Sequence, residues 1–419
     1  MSDFNVRGDT LHAENVPVRN IVNHVGTPCF IYSKNSLENA WLGFDSAFGD
    51  YPHLVCFAVK ANSNIAVLNT LANLGAGFDI VSGGELQRVL AAGGDPKKVF
   101  FSGVAKSREE IAFALKQGVR SINIESPAEL ERVQSVAVEI GKVAPISIRV
   151  NPDVDPQTHP YISTGLEEAK FGVTMQDSLH VFKHAQSLSH IEIYGIASHI
   201  GSQITSIEPF VDALDRIITL VKTLAEMQID IQHLDLGGGY GIVYNEESPP
   251  SRKEFISALL NRLQSEKMNI PVSIEPGRSI TGNAGILVTE VNYIKENVNK
   301  NFAIIDAAMN DLLRPSLYSA WHTISTVTTP DEDCNEAVYD VVGPVCETGD
   351  ILGKDRLLSI RQGDLLAIHS AGAYGFTMSS NYNSRPRAVE VLVNDTQWQI
   401  VRQREQASDL FKLESIAKW

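Results

Sequence analysis

Cysteine is scarce in this chain: four residues in 419, at positions 29, 56, 334 and 346, with no CxxC pair among them. That spacing excludes a cysteine zinc knuckle and a disulfide framework, and it fits a reducing cytoplasm. Long apolar runs are missing as well. No stretch approaches the ~20 residues that span a bilayer, and the opening MSDFNVRGDTLHAEN holds no apolar core of an export signal. Neither a membrane span nor secretion is expected. Positive charge is in short supply: Lys and Arg total 35 against 50 Asp and Glu, a net charge of −15. Such a surface repels phosphate backbones and anionic headgroups, so nucleic acid and membrane surfaces are not expected partners. Low-complexity tracts, solenoid repeats and flexible linkers are absent too.

What is present is a core-forming chain with 43% hydrophobic residues. A single core stops growing at roughly 250–300 residues, so two domains are expected. From about residue 54, short β-like runs alternate with amphipathic stretches. The runs are LVCFAV at 54, FDIV at 78, VFF at 99, SINI at 121, ISIRV at 146, IYGIASHI at 193, HLDL at 233 and VSIE at 272. Segments such as SGGELQRVLAAGG and SREEIAFALKQG lie between them, with glycine where helices stop. Eight such repeats predict an α/β fold, a (β/α)8 TIM barrel, over 36–284. An open doubly wound sheet is the competing arrangement, which counting strands does not separate. After the fifth run comes a Pro- and Gly-punctuated loop, NPDVDPQTHPYISTGLEEAKFG, placed over the barrel mouth in this reading. Beyond 284 the pattern turns to strands: ILVTEVNYIK, NFAIID, AVYDVVG, DLLAIHS, AVEVLV and QWQIVRQ. A mainly β, barrel-like domain is expected over 285–419, recruiting 1–35 through the isolated strand PCFIYS at 28.

The residues able to do chemistry fall at carboxyl ends of the barrel strands, where barrel active sites lie. Lys60 follows the first, Asp79 is in the second, and Arg149 and Asn151 end the fifth. His199 and Ser202 follow the sixth, Gly237-Gly238-Gly239 the seventh, and Glu275-Pro276-Gly277-Arg278 the eighth. Each has a bland reading: a solvated lysine, a core imidazole, a tight turn. Lys60 follows four apolar residues, however, and a lysine in apolar surroundings offers a usable free amine for a Schiff base. The glycine run fails the G-x-G-x-x-G template because Ile242 stands at the last glycine, so no dinucleotide site is predicted. Its backbone N–H groups suit a phosphate instead, with Arg278 as the charged half of the cradle. His180 and His184 lie four apart on one helix without a third ligand, so no metal is expected. An amine for a carbonyl, a cradle for a phosphate, an imidazole against a ring and a carboxylate for a ring nitrogen together meet the needs of pyridoxal 5'-phosphate. Glu275 on that nitrogen would make the ring a strong electron sink, which favours decarboxylation over racemisation.

These motifs resemble those of the fold-type III pyridoxal-phosphate decarboxylases, and within them the bacterial branch acting on meso-diaminopimelate. The resemblance covers nearly the whole chain. It rests on FAVKAN, FDIVSGGE, RVNPDV, the STG–KFG loop, HIGSQ, LDLGGGYG, EPGR, AAMNDLLRPSLY, GPVCETGD and AGAYGFTMSSNYNSRPR. Departures are confined to Phe57 and Tyr240, neither of which carries a role. The resemblance implies a lyase of lysine biosynthesis that converts meso-2,6-diaminopimelate to L-lysine and CO2, acting at the D-centre and recognising the distal L-centre. It implies that Lys60 carries the cofactor, His199 stacks on the ring and Glu275 pairs with the ring nitrogen, with Asp79 also at the cofactor. Ser202, Gly238, Gly239, Gly277 and Arg278 would surround the phosphate, with Arg278 also reaching substrate. Arg314, Tyr318 and Glu347 would hold the far end of the substrate, with Tyr374 beside cofactor and substrate. Cys346 would protonate the carbanion. Cys346 and Glu347 would come from the neighbouring subunit of a homodimer, so that the sites are shared. The bland alternatives are a buried apolar role for Cys346 and a surface ion pair for Arg314. A decarboxylase of ornithine, arginine or another basic amino acid is the second reading, and a non-catalytic cofactor-binding homologue the third.

Overall fold

A computed structural model describes residues 3–155 and 170–419. The STG triplet and most of the punctuated loop after the fifth run lie outside the described residues. The chain forms two compact units.

The first unit comprises Glu38–Val243 and Glu247–Ile280. Its strands are β1 (His53–Ala58), β2 (Gly77–Ile80), β3 (Val99–Phe101), β4 (Ser121–Ile124), β5 (Ala144–Asn151), β6 (Ile191–Ala197), β7 (His233–Asp235) and β8 (Val272–Ile274). Each pairs in parallel with the next, and β8 returns to β1, so the sheet closes. Closure removes the doubly wound alternative. Strands of such a ring are covered on both faces, which is why they are spelled as unbroken apolar runs. Phe57, Phe78, Phe100, Phe101, Ile122 and Ile148 are fully buried.

Long helices follow the strands: α1 (Ile65–Asn73), α2 (Gly83–Ala91), α3 (Arg108–Gln117), α4 (Pro127–Ile140), α5 (Met175–Ser187), α6 (Glu208–Glu226) and α7 (Arg252–Ser265). Their limits are local chemistry. Ser107 and Glu110 form a capping box at the start of α3, and Gly118 ends it at φ 75°; Ser126 and Gly141 do the same work for α4. No helix among the described residues is long and apolar enough to cross a membrane.

The second unit joins the N-terminal segment to Leu37 with Thr281–Trp419, and it also claims Tyr244–Glu246 from within the barrel's stretch of sequence. Its large sheet runs Ile351–Leu358, Ala337–Val342, Asn301–Ile305, Gly285–Glu296, Cys29–Ser33, Val389–Asn394, Gln397–Arg402, with Leu365–Ile368 attached to Gly285–Glu296 and Ile324–Thr326 attached to Leu365–Ile368. The N-terminal strand is central: Cys29–Ser33 pairs antiparallel with Gly285–Val288 and parallel with Val389–Val393. Cys29, Ile31, Ile286, Val288, Val389 and Val391 share its buried core. Ile351–Leu358 is a strand that the sequence reading misses. Gly353, Lys354 and Asp355 break its apolar run, and its pairing with Ala337–Val342 shifts register twice.

Candidate active site

The strand ends of the barrel unit surround a cavity of about 180 Å³ lined by Lys60, Asn123, Arg149, His199, Asp235 and Glu275, among others. Lys60 sits in a single turn following β1, behind the buried Phe57, Ala58 and Val59. Its Nζ lies 2.8 Å from the carboxylate of Asp79 in β2, whose side chain is wholly buried. The amine therefore has a charged setting, not the apolar one that its chain neighbours suggest.

His199 follows β6 and accepts the Gly238 N–H at Nδ1, 3.1 Å away. Burial pushes its pKa well below the ordinary value, and the positive charges of Arg149 and Lys60 push the same way. The imidazole is thus neutral, with its proton on Nε2. Arg149 in β5 is held by Glu125, Nη1 to Oε1 at 2.9 Å, and lies over the Phe171 ring at 5.0 Å. Neither Glu125 nor this pairing is visible in the sequence reading.

The glycine run is glycine for a packing reason. A Cβ on Gly237 would lie 2.2 Å from the Ser198 carbonyl, on Gly238 2.2 Å from the Glu275 carbonyl, and on Gly239 2.4 Å from the Gly201 carbonyl. No side chain fits, so the ends of β6, β7 and β8 close together. Two of the amides expected to face a phosphate are engaged: Gly237 N–H with Asp235, and Gly238 N–H with His199. Beside the run, Arg278 Nη2 donates to Ser202 Oγ at 2.9 Å, which brings two of the expected phosphate residues together. Gly277 lies against Ala58 and Ala61, where a Cβ would come within 3.0 Å of both.

Glu275 is buried, and its Oε1 has no hydrogen-bond partner. Burial and the neighbouring Asp235 and Asp79 push its carboxyl well above the usual range. These features fit pyridoxal 5'-phosphate. A cavity of roughly 150 Å³ accommodates a benzene-sized ring; a lysine amine reaches this one, and a buried acid with an unpartnered oxygen awaits a ring nitrogen.

In the β unit, Arg314 opens the short helix Arg314–Tyr318. It is buried, its guanidinium lies 4.4 Å from the Tyr244 ring centre, and Nη1 donates to His322 Nε2 at 2.7 Å. It is not the surface ion-pair partner of the bland reading. Ser316 ties that helix to the next site loop by donating to Gly349 O at 2.7 Å. In that loop Cys346 is a free, exposed thiol, not a buried apolar filler. Its N–H donates to Asn383 Oδ1 at 3.1 Å, and Tyr382 O–H donates to Glu347 at 2.5 Å. Tyr374 is half-buried in the left-handed region at φ 55°, between closely packed Gly372 and Gly375. The sequence reading missed Tyr382 and Asn383, although both stand in the quoted SSNYNSRPR. On α5, His184 pairs with Glu131 at the surface.

Residues 34–282 match the family model "Pyridoxal-dependent decarboxylase, pyridoxal binding domain". Over 417 residues the chain is 54% identical to diaminopimelate decarboxylase of Vibrio cholerae, covering 99% of each. It is 54% identical over 415 residues to that of Haemophilus influenzae, covering 99% of this chain and 100% of the relative. Among solved structures, diaminopimelate decarboxylase from Helicobacter pylori complexed with L-lysine superposes with TM-score 0.91 at 42% identity, covering 94% of this chain and 98% of that one. The chain belongs to the pyridoxal-dependent decarboxylases, in the diaminopimelate decarboxylase family.

Proposed function

We propose that this chain removes CO2 from meso-2,6-diaminopimelate to give L-lysine, the last step of lysine biosynthesis, with pyridoxal 5'-phosphate as cofactor. The observation that carries the substrate is full-length identity of 54% to diaminopimelate decarboxylases. The cavity supports the cofactor. When bound, the cofactor supplies an aldehyde for the substrate amine and a protonated ring that takes up the electron pair left by CO2.

The chain's own groups do the rest in this reading. Lys60 Nζ would hold the cofactor's aldehyde, and Asp79, 2.8 Å away, would keep that amine in place. His199, neutral, offers a flat uncharged wall. Glu275 holds the ring-nitrogen proton. Ser202, Gly239 and Arg278 bind the phosphate dianion, with Gly238 and Gly277 shaping the turn. Arg278, Arg314 and Tyr318 take the distal carboxylate, Glu347 the distal ammonium, and Tyr374 flanks both ligands; guanidinium forks suit a carboxylate and a carboxylate suits an ammonium. Cys346 Sγ–H delivers the proton that replaces CO2. Cys346 and Glu347 serve the site of a second subunit, a reading supported by their exposure on the single chain.

Competition of meso-diaminopimelate with L-ornithine, L-arginine and L-lysine, followed by CO2 release, tests the substrate. A site built for a polar group rejects analogues lacking it by about 10⁴-fold in kcat/KM. Comparable turnover of ornithine refutes the substrate and leaves a decarboxylase.

A further inference from the structure

The β unit clamps Arg314 between two aromatic side chains. The Tyr244 ring covers a face of the guanidinium, its centre 4.4 Å away, and His322 Nε2 meets the edge at Nη1, 2.7 Å away. The two rings meet each other edge to face, at 5.2 Å and 77°. All three residues are buried. Local structure explains how His322, eight positions on, reaches back to Arg314. Helix Arg314–Tyr318 stops at Ser319, whose left-handed backbone at φ 51° turns the chain. Strand Ile324–Thr326 then pairs antiparallel with Leu365–Ile368, and the His369 N–H donates to Thr323 O at 2.8 Å. That pairing sets the His369 carbonyl 2.8 Å from His322 Nδ1. The His369 ring is itself tied to Ser325, Oγ to Nε2 at 2.8 Å.

The two hydrogen bonds of His322 assign its tautomer. A carbonyl oxygen only accepts, so Nδ1 carries the hydrogen. A guanidinium only donates, so Nε2 offers its lone pair to Arg314. An imidazolium has hydrogen on both nitrogens and cannot make this pair of bonds, so His322 is neutral. Arg149 of the barrel unit is held differently, by the carboxylate of Glu125. A carboxylate fixes a guanidinium and also competes for it with any carboxylate ligand. A neutral imidazole fixes it and leaves its charge for the ligand.

We propose that His322 is a positioning residue that sets specificity for the distal carboxylate: it orients the Arg314 fork without cancelling the fork's charge. The inference rests on Arg314 taking that carboxylate, as in the proposed function. One N–H of the fork is spent on His322, and Tyr244 covers a face of the plane. The guanidinium is planar, so pinning one edge and one face fixes the direction of its remaining donors, as bidentate recognition of a carboxylate requires. The bland reading makes His322 a satisfied core histidine. In that reading any buried acceptor serves Arg314, and a carboxylate serves it best.

The test compares His322→Gln with His322→Glu. Both lose the bond to the His369 carbonyl and both offer Arg314 a side-chain oxygen, so they differ in charge. Calorimetry on the cofactor-loaded protein measures binding of L-lysine, which keeps the distal carboxylate, and of cadaverine, the diamine that lacks it. The readout is the ratio of the two affinities. Wild type should prefer L-lysine, and His322→Gln should keep that preference. His322→Glu should lower the ratio by about tenfold or more, the worth of a hydrogen bond to a charged group. A wild-type ratio in His322→Glu, or a ratio in His322→Gln that falls as far as in His322→Glu, overturns the role. A wild type that shows no preference refutes the distal-carboxylate reading itself. A second measurement needs only a folded wild type. At neutral pH, nitrogen-15 spectra of histidine-labelled protein should contain an imidazole protonated on Nδ1 alone, missing from His322→Gln. A His322 signal protonated on Nε2, or on both nitrogens, overturns the role.

Discussion

Replacing Glu125 by alanine should weaken the barrel far more than an acid just beyond a strand end suggests. Glu125 follows β4, and its side chain is 2% exposed against 11% for its partner Arg149. It accepts Arg149 Nη1 at 2.9 Å, the Gly172 N–H at 2.8 Å and the Gly103 N–H at 3.3 Å. Alanine leaves a guanidinium facing the cavity without its carboxylate, and two backbone donors without their acceptor. Removing one partner of a buried pair costs about 3–5 kcal/mol. For a domain of this size each kcal/mol moves Tm by roughly 2–4 °C, so a fall of about 6–20 °C is expected. Circular dichroism melting of the cofactor-free protein measures it without ligand stabilisation. The double variant Glu125→Ala/Arg149→Met removes the uncompensated charge and keeps the apolar stem. It should melt above the Glu125→Ala single variant. A single variant melting within about 2 °C of wild type, or a double variant melting below the single one, refutes the account of this pair.

Borohydride added to the loaded enzyme should fix the cofactor on Lys60, and Lys60→Ala should lose the visible Schiff-base absorbance together with nearly all turnover; a reduced adduct on another lysine removes Lys60 from its role. Lys60→Ala and Cys346→Ala should each be nearly inactive alone, yet regain activity when mixed under subunit exchange, because one site of the mixed dimer contains neither substitution. No recovery despite proven exchange places both residues in one subunit's site.

The barrel was legible because its strands are buried on both faces and so appear as short apolar runs. VFF and SINI coincide with β3 and β4, and the other runs end within three residues of their strands. Their carboxyl ends were legible for the same reason, and Lys60, Arg149, His199 and Glu275 do line one cavity. What escaped is what depends on partners distant in sequence. The apolar neighbours of Lys60 along the chain say nothing of Asp79, which approaches across the sheet from β2. The glycine run looked like a donor-lined cradle, whereas two of its amides satisfy Asp235 and His199. Its glycines are demanded by three carbonyls of two other segments, those that follow β6 and β8. In the β unit, Gly353-Lys354-Asp355 hid a strand whose pairing survives a shifted register.

Four acids at the barrel mouth look interchangeable in the sequence, and their companions separate them. Asp79 faces an amine and Glu125 a guanidinium, so each is an anion matched by a cation. Asp235 and Glu275 are buried acids whose carboxyls burial pushes upward. Environments that push like groups apart in proton affinity assign their roles. The matched acids hold cations in place, while burial drives Asp235 and Glu275 toward the protonated form.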